Sequence, residues 1–132
     1  MSERQRIIAI EEHFVSPMMA KLFSGYHELS PFLHSARKLQ DLGEARIREM
    51  DEAGIDVQVI SHIQPGPQVF EPDLAVTLAR EANNILRDGI ALHPDFAGFA
   101  ALPTPKPTSY PGRVSQRTGT SGSACDRVVV VT

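Results

Sequence analysis

Arg6-Ile7-Ile8-Ala9-Ile10 runs without a break into Glu11-Glu12-His13-Phe14. The apolar run suits a strand buried on both faces, the pattern of a parallel sheet. Acid and imidazole then gather where that strand ends. Side chains alternate across a strand, so Glu11 and His13 leave on one face and Glu12 on the other. A carboxylate oxygen and an imidazole nitrogen placed this way can meet one divalent ion at about 2.0–2.2 Å each. Sites in parallel α/β folds lie at the carboxyl ends of the strands, so chemistry and position agree. Two donors do not complete a site. The competing reading of the same spacing is a strand-end histidine bonded to a loop beside a solvated glutamate.

Beyond Phe14, Pro17 ends regular structure, and Met18, Met19, Leu22 and Phe23 have the spacing of a short helix. Gly25, Ser30 and Pro31 break it into a loop. Leu42 to Ala53 reads as a helix with Gly54 as its C-terminal cap. Asp56-Val57-Gln58-Val59-Ile60-Ser61 is the second strand, and residues 62–68 form a breaker-rich loop. Pro72 and the acids Glu71 and Asp73 suit the first turn of a second long helix. Its apolar stripe is Leu74, Leu78, Ala82, Ile85 and Leu86, down to about Asp88. His93-Pro94-Asp95 is a turn, and Phe96 to Leu102 is a third strand stopped by Pro103-Thr104-Pro105. The order β-α-β-α-β with long crossovers predicts parallel strands joined right-handedly.

Ser61 and His62 end the second strand on the same rim as Glu11 and His13, where they would contact a substrate or cap the next loop. Tyr26 and Phe23 would line a pocket for an aromatic ring, with core packing the competing role for Phe23. His93 belongs to the opposite rim and reads as structural. His27 and His34 have no partner at ligand spacing, and Cys125 has no base nearby. Neither GxGxxG nor GxxxxGK[ST] occurs, so no phosphate loop is indicated.

The 132 residues fit one domain. A net charge of −3 argues against nucleic acid or an anionic membrane as the main partner. One cysteine excludes an intrachain disulfide, and no apolar run reaches membrane-spanning length. A cytoplasmic protein is the expectation. The charge is unevenly spread. Residues 1–105 hold 9 basic and 15 acidic side chains, a net of −6, whereas 106–132 hold 4 and 1, a net of +3. Helical period disappears at the same point, so 106–132 reads as an irregular tail. Val128 to Val131 is strand-prone but has no visible partner.

Taken together, Ile8-Ala9-Ile10-Glu11-Glu12-His13-Phe14, Met50 to Ser61, Ala79-Arg80-Glu81-Ala82-Asn83-Asn84-Ile85-Leu86 and His93 to Pro103 resemble the amidohydrolase-related metal-dependent decarboxylases. The likeness is to the γ-resorcylate and 2,3-dihydroxybenzoate branch and covers residues 6–105. It implies the first part of a (β/α)₈ TIM-barrel-like fold, with Glu11 and His13 as ligands of one Zn²⁺ or Mn²⁺. It also implies a small aromatic carboxylic acid as substrate, loss of CO₂ without oxidation, and assembly into a homo-oligomer.

Further ligands and the catalytic histidine come, in that family, from later strands that 106–132 does not resemble. No catalytic residue of the family is therefore matched within this chain. The simultaneous switch in charge and texture is the expectation for an out-of-frame or mis-joined end, and for a polypeptide inactive alone. A hydrolase of the same superfamily and a non-catalytic α/β binding or assembly module are the alternative functions.

Overall fold

The computed structural model describes residues 4–23, 36–103 and 128–129. Strand β1 is Ile8–Phe14, followed by helix α1 (Pro17–Phe23), the short α2 (Ala36–Gln40) and α3 (Glu44–Ala53). Strand β2 (Val57–His62) leads through a 3₁₀ turn at Pro67–Val69 into α4 (Pro72–Leu92), then β3 (Phe96–Phe99) and the two-residue β4 (Val128–Val129). All pairings are parallel, in the sheet order β1-β2-β3-β4.

The local reasons for these elements are visible in the chain. Gly54 ends α3 with φ of 70°, a left-handed conformation that a side chain would disfavour. Its N–H and that of Ile55 close the last turn onto Asp51 and Met50. Pro17 opens α1 rather than only terminating β1, because a missing N–H costs nothing in a first turn. Helix α4 runs to Leu92, four residues past the sequence expectation. Its buried stripe is Ala75, Leu78, Ala79, Ala82, Leu86 and Ile90, while Leu74 is exposed.

The main core lies on one face of the sheet, where Phe14, Ile60 and Phe96 meet Met50 of α3 and Ala82, Leu86 and Ile90 of α4. Gly98 permits that approach: a Cβ there would stand 2.7 Å from Leu86 Cδ2 and 3.0 Å from the Ile60 carbonyl oxygen. A second cluster of Val15, Met19, Phe23 and Leu78 packs α1 onto α4, which places Phe23 in the core.

Two expectations are corrected. The opening strand is not buried on both faces: Ile8 is 55% and Ile10 69% exposed. It is an edge strand, with β2 on one side and no neighbour on the other among the described residues. The valines near the C-terminus are not partnerless either, because Val128 and Val129 pair with Gly98 and Phe99. The edge of β3 away from β2 offers backbone N–H and C=O groups that the backbone of this β-prone pair meets. The third strand itself stops at Phe99, three residues short of expectation. Beyond it Asn83 takes over as anchor, donating from Nδ2 to the Ala101 carbonyl at 2.9 Å and accepting from the Ala101 N–H at 2.7 Å. Residues 104–127 and 130–132, most of the expected tail, lie outside the described residues.

A candidate metal and substrate site at the strand ends

Register decides where Glu11 and His13 stand. Ala9 pairs with Gln58, but Glu12 pairs with Ile60, so β1 uses three steps where β2 uses two. The extra residue forms a β-bulge at Ile10 and Glu11, and Glu11 takes φ of 63°. Gln58 and Ile60 face the helices, since Arg46 of α3 bonds the first and the core cluster holds the second. Ala9 and Glu12 share that face as their register partners. Alternation on either side of the bulge then puts Ile10, Glu11 and His13 on the face opposite the main core. A left-handed glutamate is an uncommon conformation that costs about 1–2 kcal/mol. Such local strain concentrates at functional positions.

His13 is half-buried, and its Nδ1 lies 3.1 Å from Ser61 Oγ, its register partner on β2. With Nδ1 engaged, Nε2 is the ring nitrogen left for a ligand. Glu11 is exposed and its carboxylate makes no hydrogen bond among the described residues. Glu12 points the other way, as alternation requires, and its charge favours the guanidinium of the part-buried Arg46.

His62 plays a different part from Ser61. It is buried, packs edge-on against Phe14 with ring centroids 5.2 Å apart, and has both nitrogens committed to backbone. Nδ1 sits 2.9 Å from the Ile63 carbonyl and Nε2 accepts from the Ser16 N–H at 3.2 Å. That pattern requires the neutral ring with its proton on Nδ1. Burial pushes its pKa below the ordinary histidine value, although the Ile63 carbonyl and the Glu81 charge oppose the shift. Ser61 and His62, with Gln64, Phe99 and Leu102, nevertheless line one cavity of about 400 Å³ beyond the carboxyl ends of β2 and β3. His62 thus shapes a wall without offering a free nitrogen. Tyr26, His27, His34 and Cys125 lie outside the described residues. His93 packs on Phe96 at the opposite rim, with ring centroids 5.5 Å apart.

Sequence reasoning missed the bulge, Arg46 and Asn83. Only Asn83 left a trace, as an amide on the otherwise apolar side of α4.

A manganese ion accompanies a hydroxy-nitrobenzoic acid ligand in 5-carboxyvanillate decarboxylase from Novosphingobium aromaticivorans. This chain matches that structure with TM-score 0.69 and 30% identity, over 76% of its own length and 35% of the other's. Manganese with 2-nitroresorcinol occupies a dihydroxybenzoic acid decarboxylase from Polaromonas, matched with TM-score 0.63 and 33% identity over 75% of this chain and 30% of that one. By sequence the chain is 35% identical over 102 residues to γ-resorcylate decarboxylase of Rhodococcus jostii. The match with the Rhodococcus enzyme takes in 76% of this chain, which spans about a third (31%) of that relative. A second γ-resorcylate decarboxylase, from Rhizobium radiobacter, is 34% identical over 103 residues, 76% of this chain and 31% of that relative. No protein-family model matches.

The donor set fits a divalent ion in part. One exposed carboxylate and one imidazole with a free Nε2 share a face, and the other nitrogen of that imidazole already rests on a hydroxyl. No group of three or more metal-capable side chains occurs among the described residues. No helix there is long and apolar enough to cross a membrane.

Proposed function

We propose that this chain supplies two ligands and one pocket wall of a metal-dependent decarboxylase acting on hydroxy-aromatic carboxylic acids. The observation that supports this reading is the bulge between Ala9 and Glu12, from which Glu11 and His13 would share the face opposite the main core at the carboxyl end of a parallel strand. Glu11 Oε and His13 Nε2 would hold one Mn²⁺ or Zn²⁺. Bound there, the ion would supply positive charge against the carboxylate and neighbouring hydroxyl of the substrate. In the tautomer protonated on Nδ1, Ser61 Oγ would accept a hydrogen bond from that N–H and orient Nε2 toward the ion. Phe99 and Leu102, in the cavity that Ser61 also lines, would pack against one side of an aromatic ring. We assign the proton donor to no described residue, and in this reading it would come from groups beyond them.

The test is equilibrium binding of 2,6-dihydroxybenzoate to the whole chain with and without Mn²⁺, with CO₂ release followed in parallel. The expected result is metal-dependent binding that His13→Ala abolishes, without turnover. Metal-independent binding, or hydrolysis of an amide or ester, contradicts the lyase reading. CO₂ release would support the chemistry and overturn the need for further groups.

A further inference from the structure

We infer that Arg46 is a positioning residue whose guanidinium clamps the register fault in β1 and so sets the aim of Glu11 and His13. The consequence for metal rests on the function proposed above. The clamp itself rests on hydrogen bonds. Nε donates to Gln58 Oε1 at 3.0 Å, Nη1 to the Asp41 carbonyl at 3.3 Å and Nη2 to the His13 carbonyl at 2.7 Å.

These partners straddle the fault. Gln58 is the β2 residue paired just before the bulge, and His13 is the β1 residue just after Glu12, where pairing resumes. One rigid planar group therefore spans the place where β1 carries an extra residue, and it is tied from behind to the segment leading into α3. The side chain is part-buried beneath the sheet, with Glu12 as a nearby counter-charge.

The physical need is specific. A one-residue slip of β1 would turn every side chain to the other face, sending the glutamate–histidine pair among the helices. Glu11 in a left-handed conformation gives the strand a local incentive to slip. A guanidinium with three bonds to three partners resists that, whereas a lysine ammonium could replace only part of it.

The experiment compares the full chain with Arg46→Lys and Arg46→Met, reading Mn²⁺ affinity by electron paramagnetic resonance and amide hydrogen exchange along β1. Arg46→Met is expected to weaken Mn²⁺ binding about 10- to 100-fold, the usual effect of losing a group that orients a ligand. Amides of residues 10–13 should exchange faster while those of α4 keep their protection. Arg46→Lys should fall between. Unchanged Mn²⁺ affinity in Arg46→Met overturns the proposal. So does a uniform loss of protection over β1 and α4, which marks a general structural role. If the parent chain binds no Mn²⁺, the metal reading fails on its own, and exchange confined to β1 still decides the clamp. If Arg46→Met does not fold, Arg46→Lys decides: wild-type affinity and exchange overturn the proposal, and weakened binding with wild-type protection in α4 supports it.

Discussion

His13 and Ser61 are register partners on neighbouring parallel strands, and their side chains meet with Nδ1 and Oγ 3.1 Å apart. The contact does two things. It confirms that the end of β1 resumes normal alternation after the bulge, and it commits one imidazole nitrogen so that the other is free. Removing it with Ser61→Ala should lower Mn²⁺ affinity about 10- to 100-fold. Stability should fall by only about 0.5–1.5 kcal/mol, the value of one hydrogen bond. A metal titration beside urea unfolding separates the two effects; equal affinity in both proteins would show that the hydroxyl does not orient the ring.

Glu11 carries the one positive φ among described residues other than glycine. Glycine accepts that conformation without steric cost. Glu11→Gly should therefore stabilise the fold by up to about 1 kcal/mol while removing a metal donor. Opposite signs for stability and metal affinity in a single variant are the mark of strain kept for function. A destabilised Glu11→Gly protein would mean that the side chain contributes more to folding than the backbone conformation costs.

His62 links stability to pH. Burial lowers its folded pKa, so the unfolded chain binds the proton more readily, starting near the ordinary histidine value of about 6.5. Its contribution is fully present above that pH and is lost as pH falls through the lower folded value. Protonation also displaces the Ser16 N–H from Nε2. Urea unfolding at pH 7.5, 6.5 and 5.5 should show stability falling toward acid, and His62→Gln should flatten the slope. The same slope in both proteins would place the titration elsewhere.

Gly98→Ala tests the approach of α4 to the sheet. The added methyl meets the Ile60 carbonyl at 3.0 Å and Leu86 at 2.7 Å, and the backbone oxygen has little freedom to move. A loss of about 1–3 kcal/mol is expected from overpacking, measured as a shift in the urea midpoint. A neutral result would mean that β3 can shift away from α4.

The strands and helices were legible because their period and punctuation are strong. Val57, Val59 and Ile60 are β-branched, Pro72 starts a helix and Gly54 stops one. The shared face of Glu11 and His13 was also legible, but for an incomplete reason. Alternation alone would have set the faces of Ile8 and Ile10 with Glu12 and carried the core side of Ala9 onto Glu11. The bulge reverses this, and no residue letter signals a bulge at a glutamate. His62 looked equivalent to Ser61 in the sequence. Only three-dimensional packing shows its nitrogens bound to the backbones of Ser16 and Ile63. Arg46 could not be found from periodicity because its partners lie on the loop before α3 and on two strands. The burial expected for Ile8 and Ile10 required neighbours that the described residues do not provide.

The most direct measurement is Mn²⁺ titration of the whole chain and of Glu11→Gln and His13→Ala, read by electron paramagnetic resonance. One ion per chain, with each substitution weakening binding at least about tenfold, is the expected result. Absence of binding, or affinities that neither substitution changes, would contradict the placement of a shared cation between these two side chains.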